Sequence, residues 1–216
     1  MQQQFDYYEK FLMPKRPIKI LEIGAGEYPI VLKMLAASLN CTLQTDYLVL
    51  LDRKYKFDKF SPSTLNFKIN GHIEKMPIDL EEFYLEQFFD LVVDPFCLHC
   101  ANSLDQLEQF LHSLAKSLID GGCLIGRAMV ARSDDAPILH KKFQTFDQKT
   151  IETRLILSAR HWENLFKKEF NIHLLQISQD ELGTFSESEY DKVDDKKEDK
   201  NFCNSYHLLN YVLSKK

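Results

Sequence analysis

The sequence predicts an α/β protein built on a mostly parallel β-sheet with helices on both faces. Between residue 18 and about residue 130, short apolar runs of strand length alternate with longer stretches of helical periodicity. The run at 47–51 is continuously apolar, as is typical of a strand buried on both faces of a parallel sheet. We therefore expect parallel strands joined by right-handed helical crossovers.

The individual elements follow from local patterns. Apolar runs predict strands at 18–23, 47–51, 65–69, 89–93, 123–130, 171–177 and 205–213, and helical spacing predicts helices at 2–13, 29–39, 79–87, 103–118 and 158–168. Serine is a preferred N-cap residue, so Ser103 and Ser158 are expected to begin two of the helices. The pair Gly121-Gly122 is expected to break the chain before the strand at 123–130.

The chain is expected to form one domain over residues 1–216, with three distinct segments. An N-terminal helical segment covers 1–17. The segment 131–157 has weak periodicity and is expected to be irregular, as a lid or a substrate-binding segment. The charged stretch 186–201 is expected to be a solvated loop, and it predicts an antiparallel hairpin of the two last strands at the sheet edge.

Composition narrows the class of protein. The hydrophobic fraction of 44% allows a sizeable core, and the net charge of −5 argues against a protein that binds nucleic acid. Five scattered cysteines, an odd number, indicate a reduced, cytoplasmic protein rather than a disulfide framework. The start of the chain does not resemble a signal peptide, and no apolar run approaches the roughly 18 residues that span a membrane.

Two sites at strand ends suggest a nucleotide-like ligand. The turn Gly24-Ala25-Gly26 lies between a strand and a helix, where glycines let the backbone approach a ligand and the helix N-terminus favours an anion. The alternative is an ordinary strand-to-helix turn. Asp52 ends the next strand, where an acidic residue can accept hydrogen bonds from ribose hydroxyls. The alternative is a surface aspartate paired with Arg53 or Lys54.

The order of five motifs resembles that of class I S-adenosylmethionine-dependent methyltransferases. The matching segments are 21–26, 50–52, 71–77, 89–94 and 118–122. The resemblance implies a Rossmann-like methyltransferase fold, with a mostly parallel seven-stranded sheet, an antiparallel edge strand and helices on both faces. It also implies that the protein is an enzyme and that S-adenosyl-L-methionine is its cofactor.

The first two motifs imply cofactor-binding roles for five residues. By this resemblance, Glu22 would contact the amino end of the methionine part, directly or through water. The backbone of Gly24, Ala25 and Gly26 would pass close to the cofactor. Asp52 would hold the ribose.

The third and fourth motifs imply five more. The segment 71–77 would be the loop that holds the adenine, with the N–H of Ile73 toward the base and His72 beside the exocyclic amine. Asp94, Pro95 and Phe96 would line the pocket near the methyl group.

Three positions depart from the family's pattern. Tyr28 stands where a third glycine is common, His72 where an acidic residue is common, and Asp120 where proline is usual. The first two keep open an alternative, a catalytically silent methyltransferase-like binding module. A nicotinamide-dependent oxidoreductase is a further alternative for this fold, but its fingerprint needs glycine where this chain has Pro29.

Candidates for chemistry beyond the cofactor are few. His99 could act as a general base, or it could begin a helix and bond to the backbone. Cys97 and Cys100 have zinc-ligand spacing, but no second cysteine pair completes a site, so no metal is expected. Trp162 could face a substrate or pack in the core.

Methyl transfer needs no obligatory catalytic triad. The enzyme must hold nucleophile, methyl carbon and sulfur in line, about 3 Å apart, and exclude water. The catalytic residue and the acceptor therefore stay unassigned at this stage. A compact, acidic chain favours a small-molecule acceptor, with a protein acceptor docking on 131–157 and the N-terminal helix as the alternative.

Overall fold

The computed structural model describes residues 1–14, 16–25, 29–31, 45–52, 72–76, 85–131, 139–144, 151–178 and 206–216. Helices in these ranges are α1 (Gln2–Phe11), α2 (Leu104–Ser117) and α3 (Ala159–Glu169), and a 3-10 turn covers Leu98–Cys100. The strands are β1 (Ile18–Ile23), β2 (Thr45–Leu51), β3 (His72–Met76), β4 (Phe89–Asp94), β5 (Leu118–Ala131), β6 (Leu139–Gln144), β7 (Ile151–Ile156), β8 (Phe170–Ser178) and β9 (Tyr206–Lys215).

The main sheet has seven strands in the order β3-β2-β1-β4-β5-β9-β8. The first five in that order pair in parallel, and β9 runs antiparallel to both β5 and β8. The predicted seven-stranded, mostly parallel sheet is confirmed, and so is the antiparallel hairpin at its edge. The antiparallel strand itself, β9, lies one place inside the edge, because β8 pairs along its outer side.

Apolar layers cover both faces of the sheet. On one face α2 and α3 pack through a cluster that includes Leu107, Leu111, Trp162 and Phe166, all buried. On the other face α1 packs through Phe5 and Tyr8 against alternate residues of β1, β2, β4 and β5. Each large apolar side chain that is fully removed from water contributes roughly 1.5–3 kcal/mol to folding. The strands are therefore held by their two faces, which leaves their carboxyl ends free to build a site.

The two predicted helix caps are confirmed. The Ser103 hydroxyl accepts a hydrogen bond from the Gln106 N–H at 3.1 Å, and the Ser158 hydroxyl accepts one from the His161 N–H at 3.2 Å. Each bond satisfies an N–H that the helix itself leaves without a partner. The predicted helix at 29–39 is described only at its first residues, where Ile30 and Val31 are helical.

Strand β5 begins earlier than predicted. It starts at Leu118, directly after α2, and passes through Gly121-Gly122, which do not break it. The pairing with β4 shifts register here: Phe89 pairs with Leu118, but Leu91 pairs with Cys123. The glycines therefore lie in a bulge, which adds residues to one strand without ending the ladder. Gly121 has a positive φ of 75°, which glycine adopts without strain.

The predicted irregular segment 131–157 is wrong in part. Strands β6 and β7 lie within it and pair antiparallel as a separate two-stranded sheet, with Lys141 opposite Arg154. Their sequences carry charged residues between the apolar ones, so no apolar run marks them, and cross-strand pairing decides the conformation. A bridge between Val130 and Leu157 links this hairpin to the end of β5.

Several predicted elements fall wholly or partly outside the described residues. The strand at 65–69 and the loop at 186–201 lie outside them, and the helix at 79–87 enters them only from Leu85, where the chain forms a turn. Within the described part, none of the helices combines the length and the apolar character that a membrane crossing requires.

Candidate active site

The ends of β1 and β2 meet at the carboxyl edge of the sheet. Ile23 pairs with Leu51, so the turn that begins at Gly24 lies beside Asp52. The Ala25 N–H donates a hydrogen bond to the Leu51 carbonyl at 3.2 Å and fastens this turn to β2. The structure thus brings together four of the predicted cofactor residues, Glu22 included. Gly26 and Tyr28 lie outside the described residues.

The turn after β1 requires glycine at position 24. Gly24 has a φ of +64°, in the left-handed region that strains other residues. A Cβ built on it would lie 2.8 Å from the Cβ and 3.1 Å from the Sγ of Cys97. The first distance is shorter than real Cβ contacts allow, and the second is tighter than most of them. The loop after β1 and the loop after β4 are therefore in direct contact at this glycine.

Glu22 holds the loop after β1 from within. Its side chain is fully buried, and its two carboxylate oxygens accept hydrogen bonds from the Ile30 and Val31 N–H groups at 2.6 and 2.9 Å. These N–H groups belong to the first turn of the following helix, where a negative charge is favoured by the helix dipole. The carboxylate closes the loop by tying the end of β1 to the start of the helix.

Asp94, the last residue of β4, plays a similar part for the next loop. Its fully buried carboxylate accepts hydrogen bonds from the N–H groups of Cys97 at 2.5 Å and Leu98 at 3.3 Å. The Tyr211 hydroxyl donates a further one. Burial raises the pKa of Asp94 to about 6, and these hydrogen bonds oppose the rise because they favour the charged form. Asp94 therefore shapes the turn 95–98.

Tyr211 reaches Asp94 across an intervening strand. Asp94 pairs with Gly126 on β5, and Gly126 pairs with Tyr211 on β9. A Cβ on Gly126 would lie 2.5 Å from both the Asp94 carbonyl and the Tyr211 hydroxyl. Only a glycine leaves room for the tyrosine ring to pass over β5. Burial and the Asp94 charge hold the pKa of Tyr211 well above its usual value, so it stays a donor.

The turn after β4 places Phe96 over His99. Phe96 is half-buried, its ring centroid lies 4.0 Å from that of His99, and it packs against a small apolar cluster of Met129, Ala131 and Ile156. The predicted residues Asp94, Pro95 and Phe96 therefore lie together at the carboxyl edge. Phe96 and Pro95 are partly exposed there, whereas the Asp94 side chain is enclosed by its three donors.

His99 is fully buried, and burial together with the Arg154 charge lowers its pKa well below the usual value. Its Nδ1 has no hydrogen-bond partner among the residues that the structure describes, and its Nε2 lies 3.9 Å from the Cys100 thiol. The bond from His99 to the backbone, one of its two interpretations, does not occur within the described ranges. The imidazole is neutral, and the Phe96 ring packs against it.

The predicted adenine loop is wrong in its structure. Residues 72–76 form strand β3 rather than a loop, because they pair in parallel with β2, with His72 opposite Tyr47 and Met76 opposite Leu51. His72 and Ile73 therefore begin the strand. At about 3.3 Å per residue, they lie roughly 10–13 Å from its carboxyl end. The structure does not bring them to the edge where Asp52 lies.

Trp162 packs in the core. It is fully buried against Phe166, and its indole N–H donates a hydrogen bond to the Met129 carbonyl at 3.0 Å. Of the two interpretations of this residue, the structure supports packing. Cys97 and Cys100 share one turn as free thiols, and the described residues include no cluster of three metal-ligating side chains.

Three residues at this edge escape the sequence analysis: Tyr211, Gly126 and Arg127. Tyr211 reads as a core residue in an apolar strand, and its contact to Asp94 spans 117 positions. Arg127 carries a detectable signal, because it is the charged residue within the apolar run 123–131. Its Nε donates a hydrogen bond to the Pro95 carbonyl at 3.3 Å.

Comparison with solved structures identifies the class of fold. Many matching chains are S-adenosylmethionine-dependent methyltransferases, and the chain has the fold of these proteins. One match is such an enzyme from Methanosarcina mazei, with a TM-score of 0.65 and 13% identity, covering 94% of each chain. No family model and no curated protein sequence matches the chain.

Two further matches carry a bound product of the cofactor. One is the 1,6-didemethyltoxoflavin N1-methyltransferase of Burkholderia thailandensis, crystallised with 1,6-didemethyltoxoflavin and S-adenosylhomocysteine, with a TM-score of 0.61 and 15% identity over 99% of this chain and 76% of that one. The other is the N-methyltransferase NodS of Bradyrhizobium japonicum with S-adenosylhomocysteine, with a TM-score of 0.57 and 13% identity over 99% and 84%.

Proposed function

We propose that this protein is an S-adenosylmethionine-dependent methyltransferase that acts on a small molecule. The observation that carries the proposal is the carboxyl edge itself: in the strand order of this fold, the turn at Gly24 lies beside Asp52 and in contact with the loop after β4. Ligands of open α/β sheets bind at this edge, where the strand order reverses. Here that point lies between β1 and β4.

The residues at the edge fit the chemistry of the cofactor. Asp52 is half-buried and offers carboxylate oxygens to ribose hydroxyls, and Gly24 and Ala25 present backbone without bulky side chains. S-adenosylmethionine, when bound, supplies a methyl group that its sulfonium charge has already activated. Glu22 and Asp94 keep the two loops in place, and Phe96 offers an apolar wall that excludes water.

One protein of this fold, the Burkholderia thailandensis enzyme, methylates 1,6-didemethyltoxoflavin, a small molecule, and this supports the same acceptor class here. The free thiols of Cys97 and Cys100 within one turn fit a reducing compartment such as the cytoplasm. A protein acceptor stays the second candidate only if small molecules fail.

Calorimetric titration with S-adenosylmethionine and S-adenosylhomocysteine tests the proposal. We expect binding to the native chain, and an affinity at least tenfold weaker, about 1.4 kcal/mol, in Asp52→Ala, because carboxylate hydrogen bonds to the ribose are lost. Asp105→Ala, in the first turn of α2, is the matched control and should bind normally. If neither ligand binds to the folded protein, the enzyme proposal fails and the silent binding module takes its place.

A further inference from the structure

We propose that Arg127 binds a carboxylate of the methyl acceptor, so that the substrate is a small carboxylic acid with an apolar body. The inference rests on the proposed methyltransferase function, and it adds the chemical class of the acceptor. Its basis is the position, burial and pairing of one guanidinium at the carboxyl edge of the sheet.

Arg127 lies just beyond the end of β4. Asp94, the last residue of β4, pairs with Gly126, so Arg127 is the next residue along β5. Its Nε–H donates a hydrogen bond to the Pro95 carbonyl at 3.3 Å, which fixes the side chain against the loop after β4. The guanidinium is therefore held in place, and its terminal nitrogens are suited to binding a ligand in one fixed geometry.

The charge of Arg127 is not neutralised by an ion pair within the described part of the chain. The side chain is half-buried, and burial lowers its pKa while Asp94 opposes the shift. The Asp94 oxygens, however, already accept from Cys97, Leu98 and Tyr211. A cation partly removed from water without a counter-charge is costly, and a ligand anion would remove that cost.

Arg16 is an arginine of this chain whose guanidinium is paired with a carboxylate. Although it is exposed, Arg16 binds both oxygens of Asp90 through its two terminal nitrogens. A guanidinium presents its donors as a planar fork that matches a carboxylate in this bidentate way. Arg127 has the same fork and greater burial, so a carboxylate is the ligand that fits it.

The position of Arg127 separates its ligand from the proposed cofactor. In the sheet order, β5 lies two strands from β1, about 10 Å, on the far side of β4. The residues proposed for the cofactor lie at the ends of β1 and β2. An anion at Arg127 therefore lies on the side of the β4 loop away from Asp52, where an acceptor would approach.

An apolar cluster begins next to Arg127, and Phe96 is its partly exposed member. Met129 and Ala131 follow at alternate positions, on the same face of β5, and pack with Ile156 and the partly exposed ring of Phe96. A molecule whose carboxylate meets Arg127 would place its body near Phe96. An aromatic carboxylate is the simplest compound that combines these two features, which makes benzoate the appropriate probe.

Benzoate titration followed by NMR tests the inference. The Arg127 Nε–H signal, assigned by its loss in Arg127→Met, should shift in a saturable way with benzoate and not with its neutral analogue benzamide. Benzoate affinity should fall at least tenfold in Arg127→Met and less in Arg127→Lys, which keeps the charge. Arg160→Met, on the exposed side of α3, should bind benzoate normally. S-adenosylhomocysteine affinity should be the same in all variants.

Four outcomes would overturn the inference. The first is the absence of any benzoate-dependent shift in the native protein. The second is equal benzoate affinity in Arg127→Met and the native chain. The third is loss of S-adenosylhomocysteine binding in folded Arg127→Met, which would assign the guanidinium to the cofactor. If instead benzoate binds through Arg127 and S-adenosylhomocysteine binds to no variant, the methyltransferase proposal fails and the acceptor assignment fails with it.

Discussion

The Tyr211 hydroxyl on β9 donates a hydrogen bond to the Asp94 carboxylate on β4, across strand β5. Asp94 in turn holds the N–H groups of Cys97 and Leu98, and Cys97 packs on Gly24 in the loop after β1. One chain of contacts therefore runs from the antiparallel strand to the proposed cofactor loop.

Tyr211→Phe should raise the pKa of Asp94 above its native value of about 6, because the hydroxyl hydrogen bond favours the charged carboxylate. It should also lower the free energy of unfolding by roughly 1.5–3 kcal/mol at neutral pH, since a hydrogen bond to a charged group is lost. Carboxyl-carbon NMR titration and urea unfolding measure the two effects. Tyr7→Phe on α1 is the control, and an unchanged Asp94 titration in Tyr211→Phe would contradict the prediction.

Asp94 should make the protein less stable as pH rises from 4 to 6. Its pKa is raised from 3.8 to about 6 in the folded state, so the folded chain holds a proton that the unfolded chain has lost in this window. Stability then falls with rising pH, by up to about 3 kcal/mol at 1.36 kcal/mol per pKa unit. Urea unfolding of the native chain and of Asp94→Asn at several pH values isolates this slope. An identical pH dependence for both proteins would show that Asp94 titrates normally.

Gly24→Ala should destabilise the protein and weaken S-adenosylhomocysteine binding. The left-handed backbone alone costs about 1–2 kcal/mol for alanine, and the new Cβ would press on Cys97. Adding Cys97→Gly removes the clash but not the backbone strain, so it should restore binding in part.

Gly121→Ala is a matched control for this prediction. Its φ is also positive, yet a Cβ there would meet nothing within 4 Å. It should cost stability and leave binding intact. Equal loss of binding in both variants would mean that the turn at Gly24 has no specific role.

Trp162→Phe should cost about 1–3 kcal/mol of stability, because the Met129 carbonyl loses a buried donor. Binding of S-adenosylhomocysteine and of benzoate should be unaffected, since the indole lies in the core and not at the carboxyl edge. Thermal unfolding and calorimetry provide the two readings. Weaker ligand binding with little change in stability would restore the substrate-facing interpretation of Trp162.

Local pattern was sufficient to predict most of the main sheet. The apolar run at 89–93 and the serine caps at 103 and 158 depend on nearby residues, and the structure has them where the sequence places them. The predicted start of β5 was wrong at Gly121, because a pair of glycines can either end a strand or lie in a bulge within it. The hairpin of β6 and β7 depends on cross-strand pairing, and no apolar run in the sequence indicates these strands.

Only those parts of the site that are formed by backbone turns and strand ends could be predicted from the sequence. The turn at Gly24 and the strand end at Asp52 could be found from motif order alone. The loop predicted at 71–77 was wrong in its structure, because residues 72–76 pair in parallel with β2 and local sequence does not show this pairing. The Tyr211 contact to Asp94 arises from strands that are neighbours in space but distant in sequence.

The position of β9 between β5 and β8 also bears on how the protein folds. Residues such as Cys123 and Ser214 are far apart in the sequence and must find each other, and contacts of this kind are slow to form. A chain in which only β1, β4 and β5 have paired lacks the donor that completes Asp94. Refolding experiments should therefore find that the core residues of β1 and β4 are buried early. Ligand binding should appear late, when β9 inserts between β5 and β8.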